Sequence, residues 1–418
     1  MTQICGLDFG TSNSTVSSVD HKGVPCLLKL EDGRETIPSV IFFSFEDDSI
    51  TFGRKAVAEY VTGGDGRLMR SLKSVLGTGL IGDTTRVMAR MYSFLEILGI
   101  FIAELKRRAE TELGGAVESV VCGRPVHFVD DDPVADAAAQ KQLEGAVRAQ
   151  GFKHVEFQFE PIAAALDYER QVMSERLALI VDLGGGTSDF SVVRVSPERA
   201  RAKDRSGDIL STAGVHVGGT DFDRLLSMSK VMPELGLGTR TLDGKRHLPV
   251  APYYDLSTWH RVNRLYSAQA LRELRSTERE AQAPQRVAMM IELIEDRLGH
   301  RMLGAVEAAK IALSDVDATD FAFHVRDRMI ETEVTLRDLA AALENSVERI
   351  ETTIEEALKR AGVAAKQIDS LILTGGSTQV PAIAGRLQSM FPDAEVVRTD
   401  VLGSVGLGLA LDAHRKFG

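Results

Sequence analysis

Cysteine is scarce in this chain: three residues in 418, Cys5, Cys26 and Cys122, widely separated in sequence. That excludes a disulfide framework or a cysteine-based zinc site, and it fits a reducing, cytoplasmic setting. Basic excess is lacking too. The formal net charge is −11, the wrong sign for a nucleic-acid-binding face. No apolar run is long enough to span a membrane. The longest apolar region, from Phe94 to Leu105, is interrupted by Glu96 and Glu104 and reads as a buried helix. The N-terminus has no basic stretch followed by an apolar segment, so no secretory signal is expected. The nine histidines are scattered, with no pair at helical ligand spacing, and no nucleophilic triad is indicated.

Glycine, by contrast, is concentrated where it can do chemistry. The stretch from Asp182 to Asp189 reads Asp-Leu-Gly-Gly-Gly-Thr-Ser-Asp between two apolar runs, a strand, a glycine turn and a strand. Backbone amides at Gly184, Gly185 and Gly186 can approach an anion without side-chain obstruction. Carboxylates at the ends can hold the waters of a magnesium ion that accompanies phosphates. Taken alone, the stretch also fits an ordinary turn with solvated carboxylates. It does not stand alone. Near the N-terminus Asp8 ends another apolar strand and is followed by Phe9, Gly10, Thr11, Ser12, Asn13, Ser14 and Thr15, after which a strand resumes. Two such hairpins suggest a duplicated fold clamping a nucleotide. A third loop, Thr374-Gly375-Gly376-Ser377, lies between an apolar strand and Pro381. There, loop amides and a helix N-terminus can face an α-phosphate and ribose.

The first two loops resemble the phosphate loops of the actin-like ATPase superfamily, and most closely those of the ATPase domain of DnaK-type heat-shock protein 70 chaperones. Among these, the chain is most similar to the short, stand-alone YegD type. The resemblance implies an α/β fold of two lobes, a duplicated ribonuclease-H-like plan with ATP or ADP in the cleft. Lobe I would be residues 1–173, with 396–418 returning to it. Lobe II would be 174–395, with an enlarged inserted subdomain at about 220–306. No peptide-binding domain is expected.

The same resemblance assigns roles. Asp8 and Asp182 would hold magnesium through its waters, and Asp182 would orient or deprotonate the attacking water. Gly10, Thr11, Ser12, Asn13, Gly184, Gly185, Gly186 and Thr187 would cradle the β- and γ-phosphates. Lys73, in Leu72-Lys73-Ser74-Val75-Leu76-Gly77, would reach the γ-phosphate. Glu160, in Glu160-Pro161-Ile162-Ala163-Ala164-Ala165, would contact the magnesium water shell. Pro125 looks like the family's switch proline. The position of an arginine that relays nucleotide state in the family holds Gln140 or Lys141 here. On the adenosine side, Gly218 and Gly219, then Glu307, Lys310 and Ser314, match the family's loop and adenine-lining helix, while Gly375, Gly376 and Ser377 form the third loop. Two arginines that flank the base in the family are replaced by Ile311 and Gln379.

Helices are expected over 94–113 and from Asp130-Asp131-Asp132-Pro133 to about Gln150, and periodicity predicts a long amphipathic helix that begins near Leu336 and stops at Gly362. Residues 229–304 depart from the family and carry the single tryptophan, Trp259, with Tyr253, Tyr254 and Tyr266. Aromatics there more often fill a local core than mark a partner site. The functional expectation is a slow magnesium-dependent ATPase acting as a chaperone-like switch, with potassium a further candidate ion. A protein client or co-chaperone would be met through the insert, and neither nucleic acid nor membrane is expected as a partner. A filament-forming ATPase, a small-molecule kinase and a nucleotide switch with almost no turnover are the alternatives.

Overall fold

The computed structural model describes residues 3–87, 90–129, 132–202, 204–398 and 403–418. Asp130 and Asp131, expected to open a helix, lie outside the described residues. The chain forms two compact units. One comprises Met1–His216, Thr352–Thr378 and Met390–Gly418, the other Val217–Glu351 and Gln379–Ser389.

The first unit contains two sheets built to one plan. In the first, the strand order is His154–Phe159, Val117–Arg124, Gln3–Phe9, Asn13–Val19, Pro25–Leu27, and Thr36–Pro38 also pairs with Asn13–Val19. In the second it is Glu395–Arg398, Ser370–Thr374, Arg176–Leu183, Ser188–Val195, Ile209–Val215. In each sheet the central strand pairs in parallel on one side and makes an antiparallel hairpin on the other. The parallel strands are near-continuous apolar runs such as Ala178–Val181, because both faces of these sheets are covered. This duplicated α/β plan is the fold expected from the sequence.

Helices cover the sheets. The Phe94–Leu113 helix starts with a capping box between Ser93 and Glu96 and ends at Gly114, whose φ of 67° closes it in the left-handed region. Its Ile97, Leu98, Phe101, Ile102 and Leu105 pack with Leu7, Phe9 and Val120 of the first sheet. Full burial of each large side chain contributes about 1.5–3 kcal/mol. The final helix, Ser404–Phe417, approaches the sheet and the Glu160–Glu169 helix with almost no intervening side chain. A Cβ at Gly408 would lie 1.8 Å from the Ala163 carbonyl oxygen, and one at Gly6 would lie 2.6 Å from the Leu409 backbone. Those glycines are there for close approach. The Ser17 hydroxyl fastens the contact by donating to the Gly406 carbonyl at 2.6 Å.

The second unit holds helices Gly219–Leu226, Ala268–Glu280, Pro284–Glu295 and Gly299–Ala312, and the antiparallel hairpin Ala318–Val325 and Arg328–Thr335. Its aromatics mostly build its own core. Tyr253 is buried and donates to the Leu235 carbonyl, and Trp259 meets His300 edge-on, with ring centroids 4.7 Å apart. Tyr254 is the exposed one, lying between Arg224 and Arg261. The Leu336–Ala361 helix buries the predicted stripe of Leu339, Leu343, Val347, Ile350, Ile354 and Leu358. Among the described residues, no helix is long and apolar enough to cross a membrane.

Candidate functional site

The duplication puts two carboxylates in equivalent places. Asp8 is the second-to-last residue of its strand and faces Thr15 across the hairpin, and Asp182 is the second-to-last of its strand and faces Asp189. Each is followed by a glycine turn. At Gly10 a Cβ would stand 2.1 Å from the Asn13 carbonyl oxygen, so this tight return admits only glycine. Ser39 braces the turn from behind: its hydroxyl donates to the Gly10 carbonyl at 2.7 Å and its amide to the Ser12 carbonyl at 2.9 Å. The second turn is closed by the Gly184 amide, which donates to the Thr187 carbonyl at 2.9 Å.

The two turns face one another. A Cβ on Gly185 would come within 2.1 Å of the Ser12 hydroxyl oxygen. The third loop joins them. Gly375, at φ 83°, presses against the second loop so closely that a Cβ would lie 2.3 Å from the Leu183 carbonyl and 2.9 Å from Asp182 Oδ1. The Ser377 hydroxyl donates to the Gly184 carbonyl at 3.3 Å. Thr11, Ser12, Asn13 and Gly184–Gly186 are half-buried, while Thr187 and Gly376 are exposed. Loop amides gathered in this way suit an anion.

Lys73 sits on a short helical turn, Leu72–Val75, and Glu160 at the first position of the Glu160–Glu169 helix, with Pro161 in its first turn. Their side chains meet, Nζ to Oε1, at 2.5 Å, 10% and 16% exposed. The field of this cluster is mutual. Burial, then Glu160, push the Asp8 carboxyl up to about 7, against Lys73. Burial, then Asp189, Glu160 and Asp8, push Asp182 up to about 8. For Lys73 burial works downward, but Glu160, Asp8 and Asp182 more than offset it and hold the ammonium above its ordinary value. The four expected groups Asp8, Lys73, Glu160 and Asp182 are thus assembled within one unit.

A cavity of about 660 Å³ opens beside them, lined among others by Arg124, Pro125, Glu160, Asp182, Asp189 and Arg360. That size is typical of ligand sites. Among the described residues, no three His, Cys, Asp or Glu side chains are grouped to hold a metal ion.

The residues expected on the adenosine side, Gly218, Gly219, Glu307, Lys310 and Ser314, fall in the second unit. Gly218 and Gly219 open the Gly219–Leu226 helix. On the Gly299–Ala312 helix, Glu307 is exposed, whereas Lys310 is buried, paired with Asp223 at 2.7 Å and donating to the Gly219 carbonyl at 3.3 Å. Ile311 is 57% exposed, and Ser314, just beyond the helix, is half-buried.

Sequence reasoning passed over Ser39 and Arg124 as functional residues. Ser39 stands in the run Ile37-Pro38-Ser39-Val40-Ile41, and only its two bonds to the first loop reveal its part. Arg124 directly precedes the proline singled out as a switch.

The model of the family described as Hsp70 protein matches residues 78–232 and 285–414. The stretch between the two matches, residues 233–284, lies within the second unit. The chaperone protein HscA of Citrobacter koseri is 26% identical, over 98% of this chain and 57% of its own length. The chaperone protein DnaK of Thermosipho melanesiensis is 27% identical over 98% and 59%. DnaK of Mycoplasmopsis agalactiae is 28% identical over 93% and 54%. The chain therefore spans somewhat more than half the length of the curated relatives it matches.

Proposed function

The chain belongs to the Hsp70 family, and from that premise we propose that it is a magnesium-dependent ATPase whose nucleotide state switches a protein contact. The observation that carries this reading is the assembly of Asp8, Asp182, Lys73 and Glu160 around two apposed glycine hairpins.

The donor set suits the reaction. Hydrolysis of ATP forms a bond from a water oxygen to the γ-phosphorus and breaks the bond from that phosphorus to the β–γ bridging oxygen. Its catalysis is mostly positioning and charge stabilisation. Magnesium, when bound, neutralises charge on the phosphate oxygens. Asp8 and Asp182 would hold its waters. Asp182, close to where the γ-phosphate would lie, would orient or deprotonate the attacking water. Lys73 would stabilise charge on the transferred group, and Glu160 fixes the ammonium that does so. Amides of the two hairpins, with Thr11 and Thr187, would cradle the phosphates. Gly375, Gly376 and Ser377 would face the α-phosphate, and Gly218, Gly219, Glu307, Lys310 and Ser314 the adenosine. Potassium is a further candidate ion at the phosphate end.

The chaperone-like part of the proposal draws on the named relatives. The free cysteines, with Cys5 and Cys122 buried, suit a reducing cytoplasm. The region from about 229 to 304 is the proposed contact with a client or co-chaperone. Isothermal titration with ATP and ADP, with magnesium and with EDTA, tests the reading. Magnesium-dependent binding is expected, and wild-type protein that is folded yet gives no binding heat would overturn it.

A further inference from the structure

Arg124 ends the Val117–Arg124 strand, opposite Phe159 of the neighbouring parallel strand. Its side chain is only 11% exposed. The guanidinium uses four of its five N–H groups. Nε donates to the Pro125 carbonyl at 2.9 Å, Nη2 to the Val126 carbonyl at 3.0 Å and to Asp136 Oδ2 at 2.8 Å, and Nη1 to Gln140 Oε1. The same plane lies 5.2 Å from the ring centroids of Phe128 and of Phe159. So many partners for one buried guanidinium define its place closely.

These contacts lead to the Lys73–Glu160 pair by two routes. Phe159, under the guanidinium, is the residue immediately before Glu160 and occupies the N-cap position of its helix. Asp136 and Gln140 lie on the Pro133–Ala149 helix. That helix also holds the end of the Lys73 turn: Gln142 Oε1 accepts the Gly77 amide at 2.9 Å. The fit there is tight, because a Cβ on Gly77 would lie 3.0 Å from the Ala135 carbonyl and 3.1 Å from Ala139 Cβ. Gly77 itself, at φ 73°, needs the left-handed region. The Lys73–Glu160 contact completes the circuit. Arg124 thus braces both mounts of the pair, the Glu160 corner through Phe159 and the Lys73 turn through the Pro133–Ala149 helix.

We propose that Arg124 is a positioning residue that sets the Lys73–Glu160 pair, and with it the charge presented to the γ-phosphate. The inference rests on the ATPase reading. Although Arg124 lines the cavity beside the pair, its bonds go to Pro125, Val126, Asp136 and Gln140, so its proposed action is through the pair and not by holding nucleotide or metal. Removing it should therefore lower the rate of the chemical step and the preference for ATP over ADP, while leaving the affinity for ADP unchanged. Gln140 supplies the means to separate this from plain structural damage. Exchanging the two residues, Arg124→Gln with Gln140→Arg, moves the guanidinium to the helix and the amide to the strand, keeping their contact.

The test measures single-turnover ATP hydrolysis and titrates MgATP and MgADP on the full chain for wild type, Arg124→Ala and the exchanged double variant. Displacement of a catalytic group by about 1 Å costs up to ~100-fold in rate. Arg124→Ala should accordingly lose at least about tenfold in rate, with ADP affinity within about twofold of wild type, and the exchange should restore at least about a third of the rate. Arg124→Ala turning over like wild type overturns the role of Arg124 alone. So does a loss matched by equal losses in ADP affinity and melting temperature, or an exchange that recovers nothing. Wild type that neither binds nor hydrolyses ATP overturns the ATPase reading itself.

Discussion

The ammonium of Lys73 and the carboxylate of Glu160 meet at 2.5 Å although they belong to segments 87 residues apart. Two long, flexible side chains are held in one geometry, beside the Asp8 and Asp182 carboxyls that raise the Lys73 pKa further. A pair so shielded from water does little for stability on balance, since desolvation offsets its attraction. In the proposed function its value lies in keeping a cation fixed where phosphate charge would develop.

Breaking one side of the pair should be worse than removing both. Lys73→Ala leaves Glu160 facing Asp8 and Asp182 without a counter-charge, and should reduce unfolding free energy by about 3 kcal/mol near pH 8. The Lys73→Ala, Glu160→Ala double variant should recover part of that loss in urea denaturation. Equal stability of the single and double variants would contradict the geometry.

The raised carboxyls give a pH dependence with a defined sign. Asp8 and Asp182 carry carboxyls at about 7 and about 8 against ordinary values of 3.8. Between those limits the folded state binds more protons than the unfolded chain, so these two groups make stability fall as pH rises. In EDTA, the Asp182→Asn variant should therefore gain on wild type between pH 5 and pH 8, with the difference in melting temperature widening by at least ~2 °C. A difference that stays constant across that range would show that Asp182 titrates normally.

The apposition of the two hairpins predicts intolerance at one glycine. Gly185→Ala must displace Ser12, because its Cβ would lie 2.1 Å from that hydroxyl, and ATP affinity should fall by about tenfold, ~1.4 kcal/mol. Gly145→Ala on the Pro133–Ala149 helix meets open space. It should leave affinity alone and stabilise by about 0.5–1 kcal/mol. Titration of both variants checks the contrast.

Much of this was legible in the sequence. The strand–glycine–strand pattern at Asp8 and Asp182 stands out because a phosphate loop must have small residues between two apolar runs. The helices at Phe94–Leu113 and Leu336–Ala361 follow from period and from Gly114 and Gly362. The pairs that matter across distance were not legible. Nothing near Arg124 in sequence announces Gln140, Phe159 and Asp136 as its partners, since a guanidinium finds its acceptors only after strand and helix are packed. Lys310 shows the same limit: its place in a family-like helix suggested the nucleotide, and only the fold reveals the Asp223 carboxylate that engages it. The antiparallel hairpin Ala318–Val325 and Arg328–Thr335 was also passed over, because its alternating pattern carries no glycine at the turn.

The second unit offers a prediction of its own. Ile311 and Gln379 are exposed, at the two positions where the family resemblance implies arginines against the adenine. A cation over a π-face contributes about 0.5–2 kcal/mol. The Ile311→Arg, Gln379→Arg double variant should accordingly bind ATP at least several-fold more tightly than wild type in isothermal titration. Unchanged affinity would show that these residues do not face the base.

The most direct test of the central claim is ATP turnover by the purified chain with magnesium, run beside Asp182→Asn. Wild type should release ADP and phosphate, with release abolished by EDTA and slowed at least ~100-fold in Asp182→Asn, as expected for loss of a preorganised catalytic group. Hydrolysis at the wild-type rate in Asp182→Asn would contradict it.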